Sequence, residues 1–139
     1  MSHRVSAGDR QFATDLAEAR IAPGSFDHRA HVRLAYTYLV DRDDNAAAAM
    51  MRDTLLRFLE QNGVDTSKYH ETITRAWILA VRHFMAISPP CTSADEFIDR
   101  NPILLDRNIM LSHYSADLLF SPAARTGFVE PDLEQIPKH

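Results

Sequence analysis

The chain has 139 residues, of which 45% are hydrophobic and 24% charged, and its formal net charge is −4 at pH 7. These values are ordinary for one globular domain, and the negative charge disfavours a broad nucleic-acid surface, which needs clustered Lys and Arg. Cys91 is the only cysteine, so an intrachain disulfide and a cysteine-rich metal site are excluded.

Hydrophobic periodicity predicts an all-α protein, a compact bundle of five to six helices with an extended C-terminal tail. Helical spacing of apolar residues, together with capping and breaking residues, predicts helices in chain order at 10–21, 26–40, 46–61, 68–87, 93–100 and part of 104–119. One short turn follows at 122–125, and the tail covers 129–139. The whole of 1–139 is predicted to be one domain, with 1–8 and 134–139 flexible.

The second and fourth predicted helices carry most of the argument about function. Ser25 is the predicted N-cap of the second helix, with Asp27 in its first turn. The fourth helix has cap candidates in Asp65, Thr66 and Ser67. Its broad apolar stripe predicts that it is the central helix, buried on most sides.

Two short histidine pairs lie near the starts of these helices. His28 and His31 are three residues apart and share a helix face, and His70 is followed directly by Glu71. Short polar connections favour antiparallel neighbours, so the second and fourth helices should run in the same direction. Their N-terminal ends would then lie together, and the four side chains would converge.

Three imidazoles and a carboxylate in one place predict a metal site. His28, His31, His70 and Glu71 would bind one divalent transition metal, for which Zn, Fe, Mn and Cu all remain open. The spacing differs from the HExxH motif of zinc proteases and from the Glu-x-x-His of di-iron bundles. The resulting prediction is a small metalloenzyme of unassigned reaction class, with Glu71, His70 and Tyr69 as its catalytic residues.

Two other functions stay open beside the metalloenzyme. One is metal-free acid–base catalysis by His70 with Glu71; the other is a non-enzymatic module that binds a small molecule, a metal or a protein, in which the histidines only cap helices. In each enzymatic reading the substrate is a small molecule, with anions among the candidates. Arg33, Tyr114 and Arg125 are the residues predicted to bind substrate, and His113 is expected to be structural.

The expected cellular location and partners of the protein depend on whether the sequence contains signal-peptide or membrane-spanning segments. The first residues contain no apolar stretch of the kind found in signal peptides, and residues 73–84 are too short and too charged to span a bilayer. A cytoplasmic protein without nucleic-acid or membrane partners is expected. A homodimer remains an alternative way to cover the apolar surface of the fourth helix.

Several short stretches together resemble a known group of proteins. They are F-x-H-x-x-H-V-R at 26–33, K-Y-H-E-T-I-T at 68–74, Y-S at 114–115, S-P-A-A-R at 121–125 and F-V-E-P-D-L at 128–133. The combination resembles a group of small bacterial all-helical proteins. The resemblance implies only that these stretches belong together, and no activity, cofactor or substrate follows from it.

Overall fold

The computed structural model describes residues 2–139, and helices and turns form all of the regular structure in that range. The α-helices are α1 Ala7–Ala17, α2 His28–Leu39, α3 Asp44–Gln61, α4 Glu71–Ile87, α5 Ala94–Arg100, α6 Ala116–Leu119 and α7 Pro122–Thr126. Short 3-10 turns lie at Pro23–Ser25, Thr66–Lys68, Pro102–Leu105 and Arg107–Ser112. The all-α prediction is confirmed. In the described residues, no helix is long and apolar enough to cross a membrane.

The second and fourth helices have N-caps other than those that the sequence indicates. Asp27, not Ser25, is the N-cap of α2, where its carboxylate accepts a main-chain amide. His70, not a residue of 65–67, is the N-cap of α4. The reason is that Asp65 caps a separate 3-10 turn, which ends before α4 begins.

The central helix of the fold is α2, and the prediction that gave this place to the fourth helix is wrong. Eight of the twelve residues of α2 are buried, against five of the seventeen of α4. The difference arises because α2 packs against α1, α3, α4 and α5. Its fully enclosed side chains include Leu34 and Tyr36.

Helices α2 and α4 run in the same direction, but their starts are offset. Near one end, the ring of His28 packs edge-on against that of Trp77, with centroids 4.6 Å apart. Towards the other end, His3 contacts both the Tyr36 ring and the main-chain carbonyl of Met85. The start of α2 therefore lies beside Trp77, which is about 10 Å beyond the start of α4 at 1.5 Å per residue.

Both ends of the chain make tertiary contacts, which the prediction of flexible ends did not include. His3 Nε2 donates to a carbonyl of α4 at 2.7 Å, and its Nδ1 accepts the main-chain N–H of Cys91 at 3.0 Å. In the tail, Ile136 is buried. The rings of His83 and His139 stack and are hydrogen-bonded at 2.7 Å.

A buried carboxylate joins the first helix to the fifth. Asp9 accepts the N–H groups of Ser6 at 3.0 Å and Ala94 at 2.9 Å, and Arg33 Nε at 3.0 Å. Burial acts to raise the pKa of Asp9, but these hydrogen bonds outweigh it and hold the pKa below 3.8. The Arg33 guanidinium also lies over the Phe12 ring. Arg33, predicted to bind substrate, is thus a structural partner of Asp9.

Candidate ligand-binding cavity

A cavity of about 570 Å³ lies between α2, α3, α4 and the segment that follows α5. Its wall is mostly apolar. The apolar lining residues are Phe26, Val32, Ala35, Met51, Leu55, Ile73, Trp77, Ile78, Val81, Met110, Leu111, Leu119 and Phe120. The polar lining residues are Asp27, His28, His31, Thr74, Arg107 and Asn108.

His28 reaches the cavity from the first position of α2. Its Nε2 donates to the main-chain carbonyl of Leu104 at 2.8 Å, which fixes the hydrogen on that nitrogen when the ring is neutral. The ring also contacts that of Trp77. His28 therefore ties α2 to the segment after α5 and also lines the cavity.

His31 lies one turn further along α2 and stacks on Phe26, with ring centroids 4.1 Å apart. Burial lowers its pKa from 6.5 to about 4; the nearby positive charges of His28 and Arg107 add to this, and Asp27 opposes it. At neutral pH the ring is therefore uncharged and has one donor and one acceptor nitrogen.

The ring nitrogens of His31 have no hydrogen-bond partner within residues 2–139, although those of His28 and His70 do. No fully buried side-chain nitrogen or oxygen in this part of the chain lacks a partner. The His31 nitrogens must then be accessible, and the cavity is the space that this ring borders. They are open to a ligand.

The exposed lining residues mark where the cavity opens. Leu111 and Phe120 are 41% and 61% exposed and form an apolar rim. Arg107 and Asn108, also exposed, begin the 3-10 turn Arg107–Ser112, which Asp106 caps by accepting the Asn108 N–H at 2.9 Å. No ion pair of Arg107 is found in residues 2–139.

His70 is held in a structural role by both of its ring nitrogens. Nδ1 accepts the N–H of Ile73 at 3.0 Å, which caps α4, and Nε2 donates to the carbonyl of Leu119 at 2.7 Å. Burial lowers the pKa of His70, which favours the neutral ring that this pattern requires. Neither nitrogen is free, and His70 does not line the cavity.

Glu71 and Tyr69 bond to each other away from the cavity. The Tyr69 hydroxyl donates to Glu71 Oε1 at 2.5 Å. Burial, followed by this carboxylate, raises the pKa of Tyr69. Neither residue lines the cavity wall, so the predicted catalytic group of Glu71, His70 and Tyr69 does not border the same space as His28 and His31.

The predicted metal ligands are accordingly not assembled as one group. Residues 2–139 contain no set of three or more His, Cys, Asp or Glu side chains that could hold a metal ion. The physical reason is the offset between α2 and α4, which places His28 beside Trp77 and not beside His70. Only His28 and His31 of the proposed ligands share the cavity. Binding of a divalent metal stays a prediction.

The remaining residues predicted to bind substrate have structural contacts. Tyr114 is fully buried, and its hydroxyl donates to the carbonyl of Val129 at 2.7 Å. Arg125 donates to the carbonyl of Ser67 at 3.2 Å. Neither lines the cavity. His113 bonds to the main chain of the C-terminal tail at 2.6 Å, in agreement with the structural role expected for it.

Sequence reasoning missed most of the cavity wall, including Trp77, Arg107 and Phe120. Trp77 belongs to the broad apolar stripe of the fourth helix, and nothing local distinguishes a core tryptophan from one that borders a cavity. Arg107 and Phe120 lie in an irregular segment without a clear period. Their positions depend on how 101–120 folds back over α2 and α4, for which the sequence contains no signal.

Comparison with protein-family models, with curated proteins and with solved structures found no match to the chain. The resemblance to small bacterial helical proteins therefore stays a prediction. The geometry of the cavity is the basis for assigning a function.

Proposed function

We propose that the protein binds a small organic molecule in the cavity between α2, α3 and α4, with the apolar part of the molecule enclosed. The cavity itself is the observation that supports this. Its volume of about 570 Å³ falls within the range of about 300–1,000 Å³ that is usual for small-molecule sites. A mostly apolar wall with a few polar groups is also typical of such sites.

The cavity is unlike an ordinary packing defect. Protein interiors are close-packed, with few voids larger than a water molecule, whereas this cavity is far larger and its lining includes the exposed residues Phe120 and Arg107. His31 also presents ring nitrogens without a partner in the described chain. Because these nitrogens are accessible from the cavity, a ligand that enters it can form hydrogen bonds with them.

Binding is a better proposal than acid–base catalysis for this site. An efficient general base has a pKa near the working pH. His31, with a pKa of about 4, is a weak base, and His70 has no free nitrogen. A neutral imidazole with one donor and one acceptor is well suited to orienting a ligand.

The single tryptophan of the chain provides the assay. Trp77 lines the cavity, so an enclosed ligand should change its fluorescence emission. We expect saturable binding of Nile red, a neutral apolar dye, and of 1-octanol, each competing with the other. Absence of saturable binding by both probes would refute the proposal.

Two exposed apolar side chains provide a matched test of where the ligand binds. Phe120 and Ile87 are 61% and 59% exposed, but only Phe120 lines the cavity. We expect Phe120→Ala to weaken binding roughly fivefold, as loss of about 1 kcal/mol of apolar contact implies. Ile87→Ala should leave the affinity unchanged. Equal effects of the two substitutions would place the ligand elsewhere.

A further inference from the structure

We infer that the ligand of this cavity carries a carboxylate, which Arg107 binds at the opening while the apolar part extends inward along Trp77. This inference rests on the proposed function and specifies its ligand. It follows from which polar groups of the wall already have partners and which do not.

Three polar groups of the wall are occupied by contacts within the protein. The Asp27 carboxylate accepts the N–H of Ala30 at 2.9 Å as the N-cap of α2. His28 Nε2 donates to a main-chain carbonyl. The Thr74 hydroxyl donates at 2.8 Å to the carbonyl of His70, one turn earlier in α4. The hydrogens on His28 Nε2 and on the Thr74 hydroxyl are therefore used within the protein, and what these three groups keep is acceptor capacity.

Among the polar lining residues, the side-chain donors that have no partner within residues 2–139 belong to His31, Arg107 and Asn108, and among these only Arg107 is charged at neutral pH. Arg107 has five N–H donors and no acceptor, and it has no carboxylate partner within residues 2–139. The Asn108 side chain likewise makes no hydrogen bond in the described chain, and its NH₂ group can donate beside the guanidinium. The planar fork of a guanidinium matches a carboxylate and forms two parallel hydrogen bonds with it.

Arg107 and His31 both line the cavity. Burial is the main cause of the low pKa of His31, and the positive charges of His28 and then of Arg107 add to it. A neutral His31 can donate one hydrogen bond to a ligand oxygen without adding charge. Asp27 is also on this wall. One guanidinium and one neutral donor, with a carboxylate nearby, suit a monoanion better than a dianion.

Three probes with the same eight-carbon chain separate the possible head groups. Octanoate, 1-octanol and octylamine would be titrated at pH 7.5 against Trp77 fluorescence. We expect octanoate to bind about tenfold more tightly than 1-octanol, because hydrogen bonds to charged groups are stronger than those between neutral groups. Octylamine should bind most weakly, since Arg107 repels its charge.

Removal of the guanidinium charge tests its role directly. In Arg107→Gln we expect octanoate to lose its tenfold advantage, while the affinity for 1-octanol changes by less than about twofold. Arg10→Gln is the matched control, because Arg10 is also an exposed arginine but does not line the cavity. That variant should keep the full preference for octanoate.

The outcomes distinguish this inference from the function on which it rests. If Nile red and 1-octanol bind but octanoate has no advantage, or keeps its advantage in Arg107→Gln, the carboxylate inference is overturned and the proposed function stands. If none of the probes binds to the wild-type protein, the proposed function fails and the inference fails with it.

Discussion

The protonation of His31 gives the sharpest test of the cavity, because it changes stability without any ligand. The folded protein lowers the pKa of this ring from 6.5 to about 4. As the pH falls through 6.5, the unfolded chain takes up a proton that the folded protein does not. The contribution of His31 to stability is therefore present above pH 6.5 and is lost progressively as the pH falls towards 4.

The size of the effect follows from the two pKa values. The pKa of His31 is 6.5 in the unfolded chain and about 4 in the folded protein. By proton linkage, this difference lowers the free energy of unfolding by about 2 kcal/mol between pH 7.5 and pH 5. This is a measurable part of the about 5–15 kcal/mol that stabilises a typical domain. Burial lowers the pKa of His70 as well, so a difference measurement is needed to isolate His31.

His31→Phe isolates the contribution, since the new ring can still stack on Phe26 but cannot bind a proton. Free energies of unfolding would be measured by urea denaturation at pH 7.5 and pH 5 for both proteins. We expect the wild type to lose about 2 kcal/mol more than the variant. Parallel losses, or an NMR titration of the His31 ring with its midpoint near 6.5, would refute the reasoning.

Two further substitutions test the structural contacts. Asp9→Ala removes acceptors at the starts of α1 and α5 and should lower the free energy of unfolding, measured by urea denaturation, by about 2 kcal/mol or more. The control is Asp53→Ala, at an exposed position, which should change the free energy of unfolding by less than about 0.5 kcal/mol. An equally small effect of Asp9→Ala would contradict the role assigned to Asp9. The His70→Asn variant can still cap α4 but loses the hydrogen bond to Leu119. Its free energy of unfolding should lie between those of the wild type and of His70→Ala, which should differ by about 1–2 kcal/mol. Stoichiometric bound metal that disappears in both His70 variants would show instead that His70 is a ligand.

The sequence could predict helices well because their signals are local. Capping and breaking residues such as Ser93 and Pro89 lie next to the ends that they specify, and apolar spacing identifies the buried faces. The common direction of α2 and α4 was also predicted correctly, since short connections constrain how neighbouring helices run. The prediction for the N-cap of α4 was wrong because both Asp65 and His70 are able to cap a helix. A 3-10 turn lies between them, so Asp65 caps that turn and His70 caps α4.

The amino-acid sequence by itself determined the helical fold, the direction of its main helices and the presence of two histidines on one face of α2. Only the tertiary structure decided which groups meet. An offset of about two turns between α2 and α4 separates His28 and His31 from His70 and Glu71. The same packing brings Arg107, nearly eighty residues later in the chain, to the cavity that His31 borders. Such offsets depend on how side chains from distant segments interlock, and no local pattern in the sequence specifies them.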